Sequence, residues 1–136
     1  MDARSLYAAD YDLIREAEDC LKEHYHPERH DVASALRTES GEMYTAINVN
    51  SRIENAGIHC EAVTIANALK DGHTKFDLSA AVYYPENDPE NAPAVTPACG
   101  VCRELLYDYD ANMDVVVLKD GDVKKASVAD LLPGRV

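Results

Sequence analysis

Tryptophan is absent and phenylalanine occurs once, so among the flat side chains on which single-stranded nucleic acid stacks the chain relies on its eight tyrosines. Basic residues are scarce too: 13 Lys and Arg stand against 25 Asp and Glu, a formal charge of −12. A surface of that sign repels phosphate backbones and anionic membranes. It argues against a nucleic-acid partner and for a small substrate that is neutral or cationic. The acid excess fits either a salt-rich cytoplasm or plain solubility. No apolar run approaches the ~20 residues that span a bilayer. The opening Met1-Asp2-Ala3-Arg4-Ser5 does not run from a basic start into an apolar stretch. A cytoplasmic protein with no membrane contact is expected.

What is present suits one domain spanning residues 1–136, since 46% of the residues are hydrophobic and 28% charged. Apolar residues at 3–4 spacing predict a helix over residues 11–25, stopped by Pro27. His24, His26 and His30 cluster around its end, in what reads as a solvated loop. Residues 32–36 and 43–49 read as a hairpin turning at Gly41. A polar loop, 50–58, leads into a helix over 59–70 closed by Asp71-Gly72. Residues 76–84 form a third strand, and a Pro/Glu/Asn-rich loop over 85–96 opens onto a helix over 99–109. A strand over 113–118, a turn at Asp120-Gly121-Asp122, a short edge strand and a final helical turn capped by Ser127 complete the chain. The order α-β-β-α-β-α-β-β-α predicts an α/β fold with a mixed sheet flanked by helices.

The chemistry concentrates in His59-Cys60-Glu61 and Cys99-Gly100-Val101-Cys102. His59, Cys99 and Cys102 are three ligands that Zn²⁺ accepts, and a set of three leaves a fourth position open. Glu61 beside such a position could activate water there. A structural zinc site has no need of that glutamate and favours a fourth protein ligand, so an enzyme is expected over a zinc-stabilised binding protein. Thioredoxin-like redox chemistry is the other reading of the Cys-x-x-Cys pair, although it lies late in the chain for that fold. Cys20, inside a helical pattern, reads as a small core residue. Thiols at a helix start have lowered pKa values, which favours metal binding at Cys99 and Cys102.

His-x-Glu followed by Cys-x-x-Cys is the signature of zinc-dependent base deaminases. Together with DVASAL at 31–36, GEMYTAINV at 41–49, CGVCRELL at 99–106 and LLP at 131–133, the sequence resembles the cytidine deaminase family, including its blasticidin S deaminase branch. The resemblance runs from about Leu13 to the end. It implies a three-layer α-β-α fold with a five-stranded mixed sheet and one Zn²⁺ per chain on His59, Cys99 and Cys102. Glu61 would carry a proton from water to the ring nitrogen. Backbone near Cys60 would face the base, and Asn48 would meet sugar hydroxyls. Ala62 follows Glu61 where members with three Cys ligands often have Arg, consistent with a His-type site. Arg103 would be placed to donate to a zinc-bound sulfur. The resemblance also implies a homotetramer, or a homodimer, acting on a small nucleoside or base.

Three departures bear on substrate. Asn50 replaces the Glu with which nucleoside-using members hold the sugar. Ala98 separates Pro97 from Cys99, so the carbonyl expected to meet the amino group would be that of Pro97. After Leu131-Leu132-Pro133 the chain ends Gly134-Arg135-Val136, with no aromatic residue to cover the base. Cytidine or deoxycytidine leads as substrate. A blasticidin S-like nucleoside or another aminated heterocycle is the alternative.

Overall fold

The longest apolar strands set the frame. In the computed structural model, which describes residues 1–135, β1 (Val32–Thr38) lies antiparallel to β3 (Phe76–Tyr83), pairing from Val32↔Tyr83 to Thr38↔Phe76. The hairpin partner β2 (Met43–Ile47) covers the outer edge of β1. On the far edge of β3, β5 (Asp114–Lys119) pairs in parallel and carries the antiparallel edge strand β6 (Asp122–Ser127). The path is therefore β2-β1-β3-β5-β6.

A sixth strand was not foreseen: β4 (Ala94–Val95) pairs with Tyr83 and Val82. β5 uses only Leu78 and Ser79 of β3, so β4 occupies the C-terminal half of the same edge. Two residues inside a polar loop leave no alternating pattern to read. The mixed, helix-flanked sheet is as expected, with six strands in place of five.

Alternation along the strands divides the core into two layers. Leu36, Val115 and Val117 pack with Ile65 of α2 (Cys60–Lys70) and Leu106 of α3 (Gly100–Tyr109). Ala33, Ala35, Leu78 and Val116 face Leu13, Ala17 and Leu21 of α1 (Ala8–His24) on the other side. The result is three layers, with α2 and α3 sharing one face.

Helix α1 starts three residues earlier than its apolar pattern suggested. Asp10, just outside the helix expected from sequence, has no exposure at all. Its Oδ2 accepts the Tyr7 N–H at 2.8 Å and the Lys125 Nζ at 2.8 Å, and its Oδ1 accepts Arg37 Nη2 at 2.6 Å. One carboxylate thus starts the helix and ties it to β1 and β6. The closing helical turn expected after Ser127 is a short 3₁₀ turn, Val128–Leu131. Beyond it, Arg135 folds back to Glu104 and Asp108 of α3 at 2.7 Å each and lies over the Tyr107 ring. Val136 lies outside the described residues.

Candidate active site

Two helix starts meet on one face of the sheet. His59 and Cys99 are not the first residues of α2 and α3 but the extended residues just before them. Glu61 stands in the first turn of α2, and Cys102 lies three residues after Cys99, on the same side of α3. The loop before α3 is fixed by β4 and by the Thr96 N–H, which donates to the Ala81 carbonyl at 2.9 Å.

His59 Nδ1 lies 3.2 Å from Cys102 Sγ and 3.3 Å from Cys99 Sγ. The three ligand atoms all fall within 4.8 Å of one another, and no other group of this kind exists among the described residues. Zn–N and Zn–S arms of about 2.1 and 2.3 Å at a tetrahedral angle span roughly 3.6 Å, so the group opens by only a few tenths of an ångström to admit the ion. The side-chain set therefore fits zinc, and it stops at three. Cys102 is buried while His59 and Cys99 are exposed, which leaves the group open on its cleft side.

The helix start does not lower the Cys102 thiol as expected: burial pushes it well above its ordinary value, and Glu61 and Cys99 beside it add to the rise. A divalent cation reverses that balance by stabilising the thiolate, so binding must expel a proton. Cys60 is not part of the group. Burial, reinforced by the neighbouring Glu61, also raises its thiol, which donates to Glu61 Oε1 at 3.0 Å.

A cleft of about 180 Å³ opens here. His59, Glu61 and Cys99 line it together with Asn48, Asn50, Cys60 and Pro97, so every expected metal, proton-transfer and substrate residue except Cys102 reaches this cavity. Buried Cys102 reaches the group from behind. Val32 and Thr96 also line the cleft and were not singled out; the place of Thr96 directly before Pro97 was the available signal.

The Asn48 amide is spent within the protein. Its Oδ1 accepts the Asp31 and Val32 N–H groups at 2.9 and 3.1 Å. Its Nδ2 donates to Asp31 Oδ1 at 2.7 Å and Asn50 Oδ1 at 3.1 Å. Asn50 in turn donates to the Glu28 carbonyl at 3.1 Å and to Asp31 Oδ1 at 3.3 Å. A Glu at position 50 would lose those donors and set its charge against Asp31. Asp31 opens the DVASAL stretch ahead of β1, but nothing in the spacing revealed its contact with Asn48 and Asn50.

Arg103 donates its Nε–H to the Ala98 carbonyl at 2.8 Å, bracing the turn before Cys99. Of this turn, Thr96, Pro97 and Cys99 line the cleft, and Ala98, its carbonyl engaged, does not. His30 Nδ1 contacts the Asn48 carbonyl at 2.9 Å; His24 ends α1, and neither it nor His26 nor His30 belongs to a metal-capable group among the described residues. Cys20 is half buried at the edge of the core around α1. No helix is long and apolar enough to cross a membrane among the described residues.

Comparison with known proteins agrees with this geometry. The chain is 30% identical over 125 residues to the blasticidin-S deaminase of Bacillus cereus, covering 91% of this chain and 89% of that protein. It is 29% identical over 125 residues to the cytidine deaminase of Sporosarcina psychrophila, covering 90% and 87%. Among solved structures, the cytidine deaminase of Bacillus anthracis superposes with a TM-score of 0.79 at 20% identity, covering 93% of this chain and 88% of that one. That of Burkholderia pseudomallei superposes with a TM-score of 0.71 at 27% identity, covering 93% and 98%. The redox reading of the cysteine pair gives way to a metal centre, and the enzyme expectation holds. The family model for the cytidine and deoxycytidylate deaminase zinc-binding region matches residues 8–119, and the chain belongs to that family of zinc-dependent deaminases.

Proposed function

We propose that this enzyme hydrolytically deaminates a cytosine-type nucleoside, cytidine or deoxycytidine, releasing ammonia. The observation that carries the reading is the burial of Glu61 (6% exposed) in the cleft beside the three-ligand group, with one carboxylate oxygen held by Cys60 at 3.0 Å. Zinc on His59, Cys99 and Cys102 would supply an activated water. Glu61 would move the protons: it would accept one from the attacking water and pass it to the ring nitrogen beside the amino-bearing carbon, then take the second from the hydroxyl now on that carbon and deliver it to the amine, which leaves as ammonia. Pro97 borders the base, and Asn48 shapes the wall near the sugar by holding Asn50 and Asp31.

A second reading, a blasticidin S-like nucleoside, is favoured by Asn50. Its amide is tied to Glu28 and Asp31, and the charged sugar clamp of nucleoside-using relatives is missing. A homotetramer or homodimer in the cytoplasm fits the compact chain and its family.

Ammonia release from zinc-loaded protein over cytidine, deoxycytidine, cytosine, blasticidin S, adenosine and guanine tests both readings. Glu61→Gln serves as the blank and is expected to keep zinc while kcat falls by roughly 10²–10⁴. Turnover at the native rate in that variant removes Glu61 as the proton carrier.

A further inference from the structure

One buried nucleophilic group stands in the cleft without a part in the reaction. The Cys60 thiol is 1% exposed and touches the proton carrier directly, donating to Glu61 Oε1 at 3.0 Å. Behind it, on β1, Ser34 has no exposure, and its hydroxyl abuts the same sulfur. Ser34 Oγ is also a buried side-chain oxygen with no partner of hydrogen-bonding geometry among the described residues. Native proteins rarely leave a buried hydroxyl in that condition, because it forfeits water and gains nothing. A small rotation would let it donate to Sγ. Sequence alone gave only the Cys60 backbone a role.

We propose that Cys60 is a positioning residue for Glu61, its S–H anchoring Oε1 so that the other carboxylate oxygen is presented to the reacting atoms, with Ser34 aiming the thiol from behind. This rests on the reading of Glu61 as proton carrier. A carboxylate in the first turn of a helix can adopt several rotamers, and proton transfer needs one of them. Cys60 lies outside the metal-capable group. It is therefore the thiol beside Glu61 that keeps its hydrogen when the two ligand thiols give theirs up to a metal.

The S–H stretch in the infrared reads this contact without turnover. In zinc-loaded protein carrying Cys20→Ala, a change on α1 away from the cleft, Cys60 is the remaining thiol. One band is expected, displaced to lower frequency than a free thiol, and lost on adding Cys60→Ala. Ser34→Ala should move it back toward the free position. In steady state, Cys60→Ala should lower kcat about tenfold while KM stays within about twofold and zinc content is unchanged, a loss of alignment and not of binding. Cys60→Ser, which restores a donor, should recover most of the rate. A band at the free-thiol frequency, an undiminished kcat in Cys60→Ala, or a Cys60→Ser variant as slow as Cys60→Ala would overturn the proposal, the last by reducing Cys60 to packing. If no compound is turned over, the proposed function fails, and the infrared band alone still decides whether the thiol holds Glu61.

Discussion

Replacing Asp10 by Asn should be among the most damaging single changes available away from the cleft, and the structure says where the damage arises. The carboxylate is fully buried and accepts Lys125, Arg37 and the Tyr7 N–H. Arg37 retains Asp77 at 2.7 Å, so it is not orphaned by the change. Lys125 is 5% exposed, and Asp10 is its carboxylate partner, so the variant strands a buried ammonium. An Asn side chain also turns one acceptor into a donor facing other donors. Breaking a buried pair from one side costs about 3–5 kcal/mol. At roughly 3–5 °C per kcal/mol for a domain of this size, Tm should fall by about 10–25 °C. Thermal and urea melts measure it. Adding Lys125→Met should recover most of the loss by removing the stranded charge. Zinc content should not change, because α1 packs on the face of the sheet opposite α2 and α3. The pH dependence has a definite sign. Burial raises the Asp10 carboxyl, but the hydrogen bonds from Lys125 and Arg37 outweigh it and hold the group below its ordinary value. Its contribution is complete above about pH 4 and is lost as pH falls through the lower folded value, and Asp10→Asn should flatten that acid slope. A loss under 1 kcal/mol with an unchanged acid slope would refute the reasoning.

Three further outcomes are expected. His59→Ala or Cys102→Ala should lose metal together with activity, and stoichiometric zinc in either variant, measured by atomic absorption, would overturn the ligand set. Asn50→Glu should raise kcat/KM for cytidine about tenfold if a carboxylate there can grip the sugar, more clearly with Asp31→Asn beside it to remove the opposing charge. An unchanged kcat/KM in the pair would mean that position 50 does not face the sugar. Raising NaCl from about 0.1 to 1 M shrinks the screening length from about 10 to 3 Å and should raise Tm by relieving the repulsion within a chain of charge −12; a flat or falling Tm would point to solubility as the reason for the acids.

Sequence made the metal-bearing helices legible because their apolar periodicity and their ligands coincide: Ile65 and Ala68 face the sheet, while His59 and Glu61 sit at the start of the same helix. The β-branched run Val115-Val116-Val117 marked β5 in the same way, serving both core layers. What stayed hidden depends on partners far along the chain. Asp10 looks like a solvated charge until Lys125 and Arg37 arrive beside it. Asn48 carries a motif position, but its amide is claimed by Asp31, Val32 and Asn50. β4 is a strand only because β5 leaves half of an edge of β3 unfilled. The Cys60–Glu61 contact joins neighbours in sequence, yet it depends on a rotamer that no spacing rule specifies.

The ligands ride on the ends of two helices braced against the sheet, whereas Asn50, Thr96 and Pro97 belong to the connections between elements. Connections tolerate substitution and changes of length far better than packed helix ends do. Lineages built on this plan can therefore exchange one aminated compound for another by altering loops, with the hydrolytic apparatus inherited intact. Asn50, Thr96 and Pro97 can thus vary without disturbing the packed helix starts that hold His59, Glu61, Cys99 and Cys102.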